Sequence, residues 1–179
     1  MLMPLARALT LLVLCTPALL SAQAGDDPIR EYGSATSVAN PGFTAPRDLV
    51  YRVAWDVNAG PEAADGIVPG LRRPASFLLQ ADDNGIPREN VHLAIIVYGS
   101  ATRSLLANDA YRTATGSNNA NIRLLHALNE AGVQVIVCGE ALANRNIPHD
   151  DLLPFVKVAT SATMARAVLH AQGYAVFWP

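Results

Sequence analysis

The chain contains two cysteines, and their surroundings decide what a thiol could do here. Cys138 stands in the stretch 133–142 (VQVIVCGEAL), at the end of an apolar run and directly before Gly139. A thiol between a buried strand and a helix lies near unpaired N–H groups, whose partial positive charge favours the thiolate. Glu140 opposes this effect with its own negative charge. Cys138 is therefore the candidate reactive thiol, and an inert buried cysteine is the alternative that the pattern leaves open.

A second candidate position is the tripeptide Tyr98-Gly99-Ser100, which follows another apolar run. In open parallel sheets, functional groups collect where strands end and the next helices begin. Ser100 does not lie in a G-x-S-x-G elbow, so a hydrolase nucleophile is not predicted and a helix or turn cap is the better interpretation. Arg145 is a candidate for stabilising an anion at Cys138, and a surface salt bridge is the competing role.

No cofactor or metal site is predicted. Gly99 alone does not make a G-x-G-x-x-G fingerprint, so a dinucleotide is disfavoured. The adjacent residues 149–151 (HDD) cannot all converge on one ion without ligands from elsewhere, and a solvated loop is the better interpretation. The residues thus predict no hydrolase or dehydrogenase, and whether the protein is an enzyme stays open.

The N-terminal residues 1–24 have the pattern of a signal peptide. One charge, Arg7, precedes an apolar stretch, and Ala22-Gln23-Ala24 is the small-x-small sequence after which a signal peptidase cuts. Leu14 precedes Cys15, so the small residue expected of a lipoprotein site is missing there. We therefore expect a periplasmic or secreted protein, without a membrane anchor after cleavage. Cys138 would then be the only cysteine left, so no intramolecular disulfide is expected.

The charge balance is close to neutral, with 13 basic and 15 acidic residues and no basic cluster. This composition does not favour a nucleic-acid surface or a polybasic membrane contact. The residues after the signal peptide number about 155, which is the size of one ordinary domain.

Strand and helix patterns alternate along the rest of the chain. The predicted strands are 49–57, 91–99, 133–138, 155–160 and 174–178, and the predicted helices are 71–85, 118–132, 140–145 and 161–173. We expect Asn118 or Asn119 to cap the second helix and Ser161 the last one. Residues 25–48 are polar and broken by Gly and Pro, which predicts an extended segment on the surface. Continuous apolar strands alternating with helices predict an α/β three-layer sandwich with a mostly parallel five-stranded sheet.

From about residue 49 to the end, the chain resembles the DsrE/DsrF-like family. The resemblance lies in VHLAIIVYGSATRSLL (91–106), LLHALNEAGVQVIVCGEALANRNI (124–147) and DLLPFVKVATSATMARAVLHAQGYAVF (151–177). It implies a DsrE/F-like, flavodoxin-like domain over 49–179 that forms a homo-oligomer, a trimer or a hexamer. In sulfur-relay members, the cysteine at this strand end carries a persulfide and passes sulfane sulfur between proteins. That residue corresponds to Cys138.

From their positions near the strand ends, Gly139, Tyr98, Gly99, Ser100 and Arg145 are the candidate supporting residues for this thiol. Tyr98 stands where exported relatives usually have a histidine, and Asn146 replaces the glycine that usually follows the arginine. The expected function is that of an exported DsrE-like protein that binds or relays sulfane sulfur on Cys138, with a donor or acceptor protein as partner. The alternative is a non-catalytic oligomeric binding module in which Cys138 is structural.

Overall fold

The computed structural model describes residues 27–61 and 66–178, so the predicted signal peptide lies outside the described residues. Within these ranges the chain forms strands and helices in alternation. The strands are β1 (Tyr51–Val57), β2 (Val91–Val97), β3 (Gln134–Cys138), β4 (Lys157–Ala159) and β5 (Ala175–Phe177). The helices are α1 (Pro28–Tyr32), α2 (Arg72–Asp83), α3 (Asn108–Thr115), α4 (Ile122–Glu130), α5 (Gly139–Ala143) and α6 (Ala162–Ala171).

The five strands form one sheet in the order β4-β3-β2-β1-β5, and every neighbouring pair is parallel. The three central strands are buried on both faces, which explains their nearly continuous apolar sequences. The predicted α/β sandwich with a five-stranded parallel sheet is confirmed. All carboxyl ends lie at one edge, so residues following β1, β2 and β3 are brought together there.

The direction of the crossovers decides which face each helix covers. The chain moves from β1 through β2 and β3 to β4 in one direction, then returns past β1 to place β5 at the opposite edge. Because crossovers between parallel strands are right-handed, reversing the direction puts the returning helix on the other face. Thus α2 and α4 pack on one face, and α6 packs on the other.

The two faces differ in the size of their side chains. The face under α2 and α4 carries large aliphatic residues such as Leu93, Ile95 and Leu125. The face under α6 carries small residues from both the sheet and the helix, among them Ala54 and Ala94. Small residues let a helix approach the sheet closely, and Cys138 lies in this second cluster.

Two differences from the predicted elements have clear causes. The helix predicted at 118–132 begins only at Ile122, and the expected caps at Asn118 and Asn119 are wrong. The Asn119 amide instead donates to the carbonyl oxygens of Ser104 and Leu106, both at 2.8 Å, which fixes the preceding loop. By contrast, the predicted Ser161 cap is confirmed, since its Oγ accepts the N–H of Met164 at 3.1 Å.

Two helices were not predicted. Helix α3 has a largely polar sequence (NDAYRTAT) in which Asn, Asp and Thr have weak helix propensity, and Gly116 ends it in the left-handed conformation with a φ of 79°. Helix α1 interrupts the segment 25–48, which was expected to be extended. The Asp27 side chain caps α1 by accepting the N–H of Ile29 at 2.9 Å. Most of residues 33–50 are exposed, as a surface segment requires.

Candidate functional site

Cys138 is the last residue of β3 and directly precedes α5. Its side chain belongs to the apolar cluster between the sheet and α6, and the residue is only 6% exposed. Within the described residues Cys138 is a free thiol. The predicted position at the carboxyl edge of the sheet is therefore found, together with a burial that limits access by reagents.

Gly139 is required by the close approach of α5 to β4. A Cβ atom on Gly139 would lie 2.7 Å from the carbonyl oxygen of Ala159, nearer than such contacts allow. One residue later, the Glu140 N–H donates to the carbonyl oxygen of Thr160 at 3.2 Å. These contacts tie the start of α5 to the end of β4. The glycine that follows the thiol thus has a packing role at the same edge of the sheet.

Gly99 and Ser100 support the loop that follows β1. Gly99 has a φ of 59°, and a Cβ there would lie 2.5 Å from the carbonyl oxygen of Asn58. The Ser100 Oγ accepts the N–H of Gly60 at 2.8 Å and donates to the Asn58 carbonyl oxygen at 3.3 Å. Both residues therefore fix the loops at the carboxyl ends of β1 and β2.

Arg145 follows α5 in the chain and contacts its backbone. Its guanidinium donates to the carbonyl oxygen of Ala141 at 3.2 Å. The side chain lines a cavity of about 440 Å³ with Arg103, Asp109 and Asp151, and Cys138 is not among the residues that line it. The charged residues that line this cavity with Arg145 are thus Arg103, Asp109 and Asp151.

Tyr98 stands beside Cys138. The last paired residues of β2 and β3 are Val97 and Val137. The residues that follow them, Tyr98 and Cys138, therefore start from neighbouring backbone positions. Neighbouring strands lie about 4.8 Å apart, and both side chains belong to the cluster under α6. The Tyr98 hydroxyl, however, donates to Asp56 Oδ2 at 3.4 Å, on β1. The phenol is therefore turned away from the strand that carries the thiol.

Asp56 forms a buried ion pair with Arg166 of α6. The Asp56 side chain is 0% exposed, and that of Arg166 is 16% exposed. Arg166 Nε donates to the two carboxylate oxygens at 3.1 and 2.9 Å, and Nη2 lies 2.8 Å from Oδ2. A carboxylate without solvent contact needs such a partner, because burial penalises an isolated charge severely.

Two aromatic rings enclose the guanidinium. The Arg166 Cζ lies 5.1 Å from the centroid of the Tyr98 ring and 4.4 Å from that of the Trp178 ring. Burial first, and then the negative charge of Asp56, raise the pKa of Tyr98, so its hydroxyl keeps its proton. Burial lowers the pKa of Arg166, but the hydrogen bonds and the attraction to Asp56 together outweigh it, so that this pKa is raised. The result is a neutral phenol fixed by a carboxylate and a cation.

Asp56 and Arg166 were not identified from the sequence. Asp56 is the only acidic residue in the strand YRVAWDV, and an acid in a buried strand is a recognisable signal because charges are buried only with a partner. Its partner lies 110 positions later in the chain. The spacing therefore gave no indication that the two residues meet.

The described residues contain no group of three or more His, Cys, Asp or Glu placed to hold a metal ion. In the same part of the chain, no helix is long and apolar enough to cross a membrane. What this edge of the described sheet offers chemically is the Cys138 thiol, which is followed by the first N–H groups of a short helix.

Comparison with known proteins identifies related sequences and folds. The model of the DsrE/DsrF-like family matches residues 72–179. The solved structure of the ychN protein from E. coli is 18% identical, with a TM-score of 0.49, covering 71% of this chain and 99% of that one. The MTH1491 protein from Methanobacterium thermoautotrophicum is 19% identical, with a TM-score of 0.46, covering 72% and 99%. No curated protein matches the chain.

Proposed function

The chain belongs to the DsrE/DsrF-like family, and from this premise we propose that it is an exported protein that binds and relays sulfane sulfur on Cys138. The observation that carries the proposal is the position of the thiol. Cys138 ends β3 at the carboxyl edge of the sheet, inside the region that matches the family. Within the described residues it is the one sulfur nucleophile available for such chemistry.

The transfer step balances without any redox cofactor. The Cys138 thiolate attacks the outer sulfur of a donor persulfide, R–S–SH, and forms a new S–S bond. The donor S–S bond breaks, and R–S⁻ leaves with the electron pair. Cys138 then carries the –S–SH group, and an acceptor thiolate removes the outer sulfur by the same exchange in reverse. A lone thiol suits this carrier chemistry, because no second cysteine of the described chain is present to form a disulfide.

Mass spectrometry of the native protein tests the proposal. After incubation with glutathione persulfide, we expect the mass to increase by one sulfur atom and the peptide that contains Cys138 to carry it. The Cys138→Ser variant is the matched control, because it keeps a small polar side chain but loses the nucleophile. If the native protein gains no sulfur, and Cys138 accepts sulfur only after denaturation, the proposed function is wrong.

Export is a separate part of the proposal. Residues 1–24 have the signal-peptide pattern, with Ala22-Gln23-Ala24 at the cleavage position. Expression of the full chain in a bacterium, followed by fractionation and N-terminal sequencing, should recover a periplasmic or secreted protein that begins at Gly25. Recovery of uncleaved chain in the cytoplasm would contradict this part and leave the sulfur chemistry to be judged independently.

A second candidate function is a non-catalytic oligomeric binding module. The observation that favours it is the surface around α6, where four apolar side chains are each more than half exposed: Met164, Val168, Phe177 and Trp178. In the part of the chain that the structure describes, α6 packs on this face of the five-stranded sheet together with Ala141 of α5. A second copy of the chain is the occupant that we propose for this surface, in a trimer or hexamer, with Cys138 merely packed beneath it.

Sedimentation of the native protein and two variants tests this second candidate. Val168→Glu places a charge on the apolar face and should dissociate the oligomer, since a buried unpaired charge is costly. Thr113→Glu, on an exposed position of α3, is the matched control and should leave the oligomer unchanged. A monomeric native protein would exclude the oligomeric module. Reaction of native Cys138 with a persulfide donor would exclude a purely structural thiol.

A further inference from the structure

A cavity of about 390 Å³ lies between α2 and the edge of the sheet at β5. We call it the β5 cleft, and the lining residues that matter here are Val53, Trp55, Phe77 and Phe177, with Arg73 and Gln80. We propose that the β5 cleft binds a small anion with a flat apolar body, of the aryl carboxylate class. This site does not rest on the proposed function, because Cys138 belongs to the cluster on the other face of the sheet.

The cleft exists because the sheet extends one strand beyond the helices that cover this face. Helices α2 and α4 pack on residues of β1, β2 and β3, and among the described residues none of β5 belongs to their cluster. The pairing of β5 with β1 sets Phe177 beside Trp55 at the edge of the sheet. Phe177 is 51% exposed, whereas Trp55 is buried. The space between Phe177 and α2 is therefore open.

Aromatic rings form the apolar part of the cleft and are held in place by the core. Trp55 on β1 and Phe77 on α2 meet edge to face, with ring centroids 5.8 Å apart and an angle of 63° between their planes. Phe77 also lies 6.2 Å from the ring of Tyr51. Because the core fixes these rings, a ligand does not have to order them. Aromatic rings pack favourably on other rings, by offset stacking or by edge-to-face contact.

The rim of the cleft is basic. Arg73, Phe77 and Gln80 have the spacing of one helical face, so α2 brings them to the same side. Arg72 also lines the cleft, but its guanidinium donates to the Tyr32 carbonyl oxygen at 3.4 Å and lies 5.5 Å from the Tyr32 ring centroid. Arg73 is exposed and has no hydrogen bond or ion pair with another described residue. No acidic residue is among those that line the cleft.

These features together select the class of ligand. A guanidinium pairs with a carboxylate through two parallel hydrogen bonds, so Arg73 favours an anion of this shape. The Gln80 amide is a second donor on the same helical face. An inorganic anion would leave the aromatic walls without a contact, and a neutral ring would leave Arg73 without a partner. The volume falls in the range of small-molecule sites, about 300–1,000 Å³.

Nuclear magnetic resonance of the native protein with 2-naphthoate tests the proposal. The chain has two tryptophans. Trp55 lines the cleft, and Trp178 lies on the Arg166 guanidinium of α6, so their indole N–H signals report on two places at once. Trp178→Phe assigns the two signals. At neutral pH, 2-naphthoate should shift the Trp55 signal with a dissociation constant at or below about 1 mM and leave the Trp178 signal in place.

A neutral ligand and three variants separate charge from apolar contact. The uncharged 2-naphthamide has the same rings and nearly the same shape, and should bind about tenfold more weakly because it cannot form an ionic pair. Arg73→Gln should weaken 2-naphthoate about tenfold and change 2-naphthamide little. Arg103→Gln is the matched control, since it removes the same charge from an exposed arginine outside the cleft. Phe177→Ala removes one apolar wall and should weaken both ligands by a similar factor.

Three results would overturn the proposal. The first is the lack of a saturable Trp55 shift in this concentration range, which a cleft filled by a second copy of the chain would also produce. The second is equal affinity for 2-naphthoate and 2-naphthamide. The third is the same loss of affinity in Arg73→Gln and Arg103→Gln, which would indicate non-specific attraction. None of these measurements involves the thiol, so their failure leaves the sulfur chemistry to the persulfide experiment.

Discussion

Replacing Arg166 by methionine tests the energetic importance of the buried ion pair. Methionine keeps much of the apolar length of the arginine stem, so the cluster under α6 stays filled. What the variant loses is the guanidinium, which lies 2.8 to 3.1 Å from the Asp56 oxygens. Among the contacts of the described residues, the carboxylate, with no solvent exposure, then keeps the 3.4 Å hydrogen bond from Tyr98.

The size of the effect follows from these contacts. Removing one member of a buried pair typically costs about 3–5 kcal/mol, because the remaining charge is uncompensated. The lost stacking on Tyr98 and Trp178 adds about 0.5–1 kcal/mol for each ring, part of which the methionine side chain restores. We therefore expect the free energy of unfolding to fall by about 3–5 kcal/mol. That is a large share of the roughly 5–15 kcal/mol typical of a domain.

Chemical denaturation followed by circular dichroism measures this loss. A double-mutant cycle with Asp56→Asn isolates the pair, since the amide removes the buried charge while keeping the shape. The double variant should be more stable than Arg166→Met alone by about 1–2 kcal/mol, because no charge is left without a partner. The control is Arg30→Met, whose partner Asp27 lies 3.7 Å away at the surface and whose loss should cost about 0–1 kcal/mol.

Two outcomes would refute this reasoning. The first is a loss below about 1 kcal/mol for Arg166→Met, equal to that of the surface control. The second is a double variant that is less stable than Arg166→Met, which would mean that the uncompensated charge is not the source of the cost. Either result would show that water or another group reaches Asp56 when the guanidinium is removed.

Three further predictions concern other positions. Gly139→Ala should lower the free energy of unfolding by about 1–3 kcal/mol, because the added methyl group would lie 2.7 Å from the Ala159 carbonyl oxygen. Burial and then the Asp56 carboxylate raise the pKa of Tyr98. The protonated Tyr98 side chain therefore contributes its full stability to the fold below about pH 10, the ordinary tyrosine value. This contribution is lost as the pH rises through the pKa of Tyr98 in the folded state. Tyr98→Phe should therefore lose less stability in alkali than the native protein. Asn121→Leu should cost about 2–4 kcal/mol, because its fully buried amide makes three hydrogen bonds in the loops before α2 and α4.

Urea titrations measure all three, and each has a matched control. Gly42→Ala adds a methyl group where no atom lies within 4 Å and should be nearly neutral. For Tyr98→Phe the reference is the native protein, measured over the same alkaline pH range. Asn129→Leu, at an exposed position of α4, should cost little. A variant that behaves like its control would contradict the contact assigned to the buried residue.

The sequence predicted the order of the main elements because burial on both faces leaves a strong pattern. VHLAIIVYG and VQVIVC are nearly continuous apolar runs, and both form central strands. The Ser161 cap was also predictable, since a serine before an apolar helix accepts a local N–H group. The helix α3 was missed because its polar residues carry weak helix propensity and it is stabilised by packing of Ala110 and Tyr111 on the core.

The position of Cys138 was determined by the sequence alone, because a strand that ends where its apolar run ends needs no distant contact to be recognised. The surroundings of the thiol were decided only by the tertiary structure. Asp56 and Arg166 meet across 110 positions because the chain returns past β1 on the opposite face of the sheet. Hydrophobic periodicity is a local property and records burial, whereas a pairing of charges between β1 and α6 depends on that crossover. The orientation of Tyr98, turned towards β1 by this pair, is a consequence that no spacing in the sequence encodes.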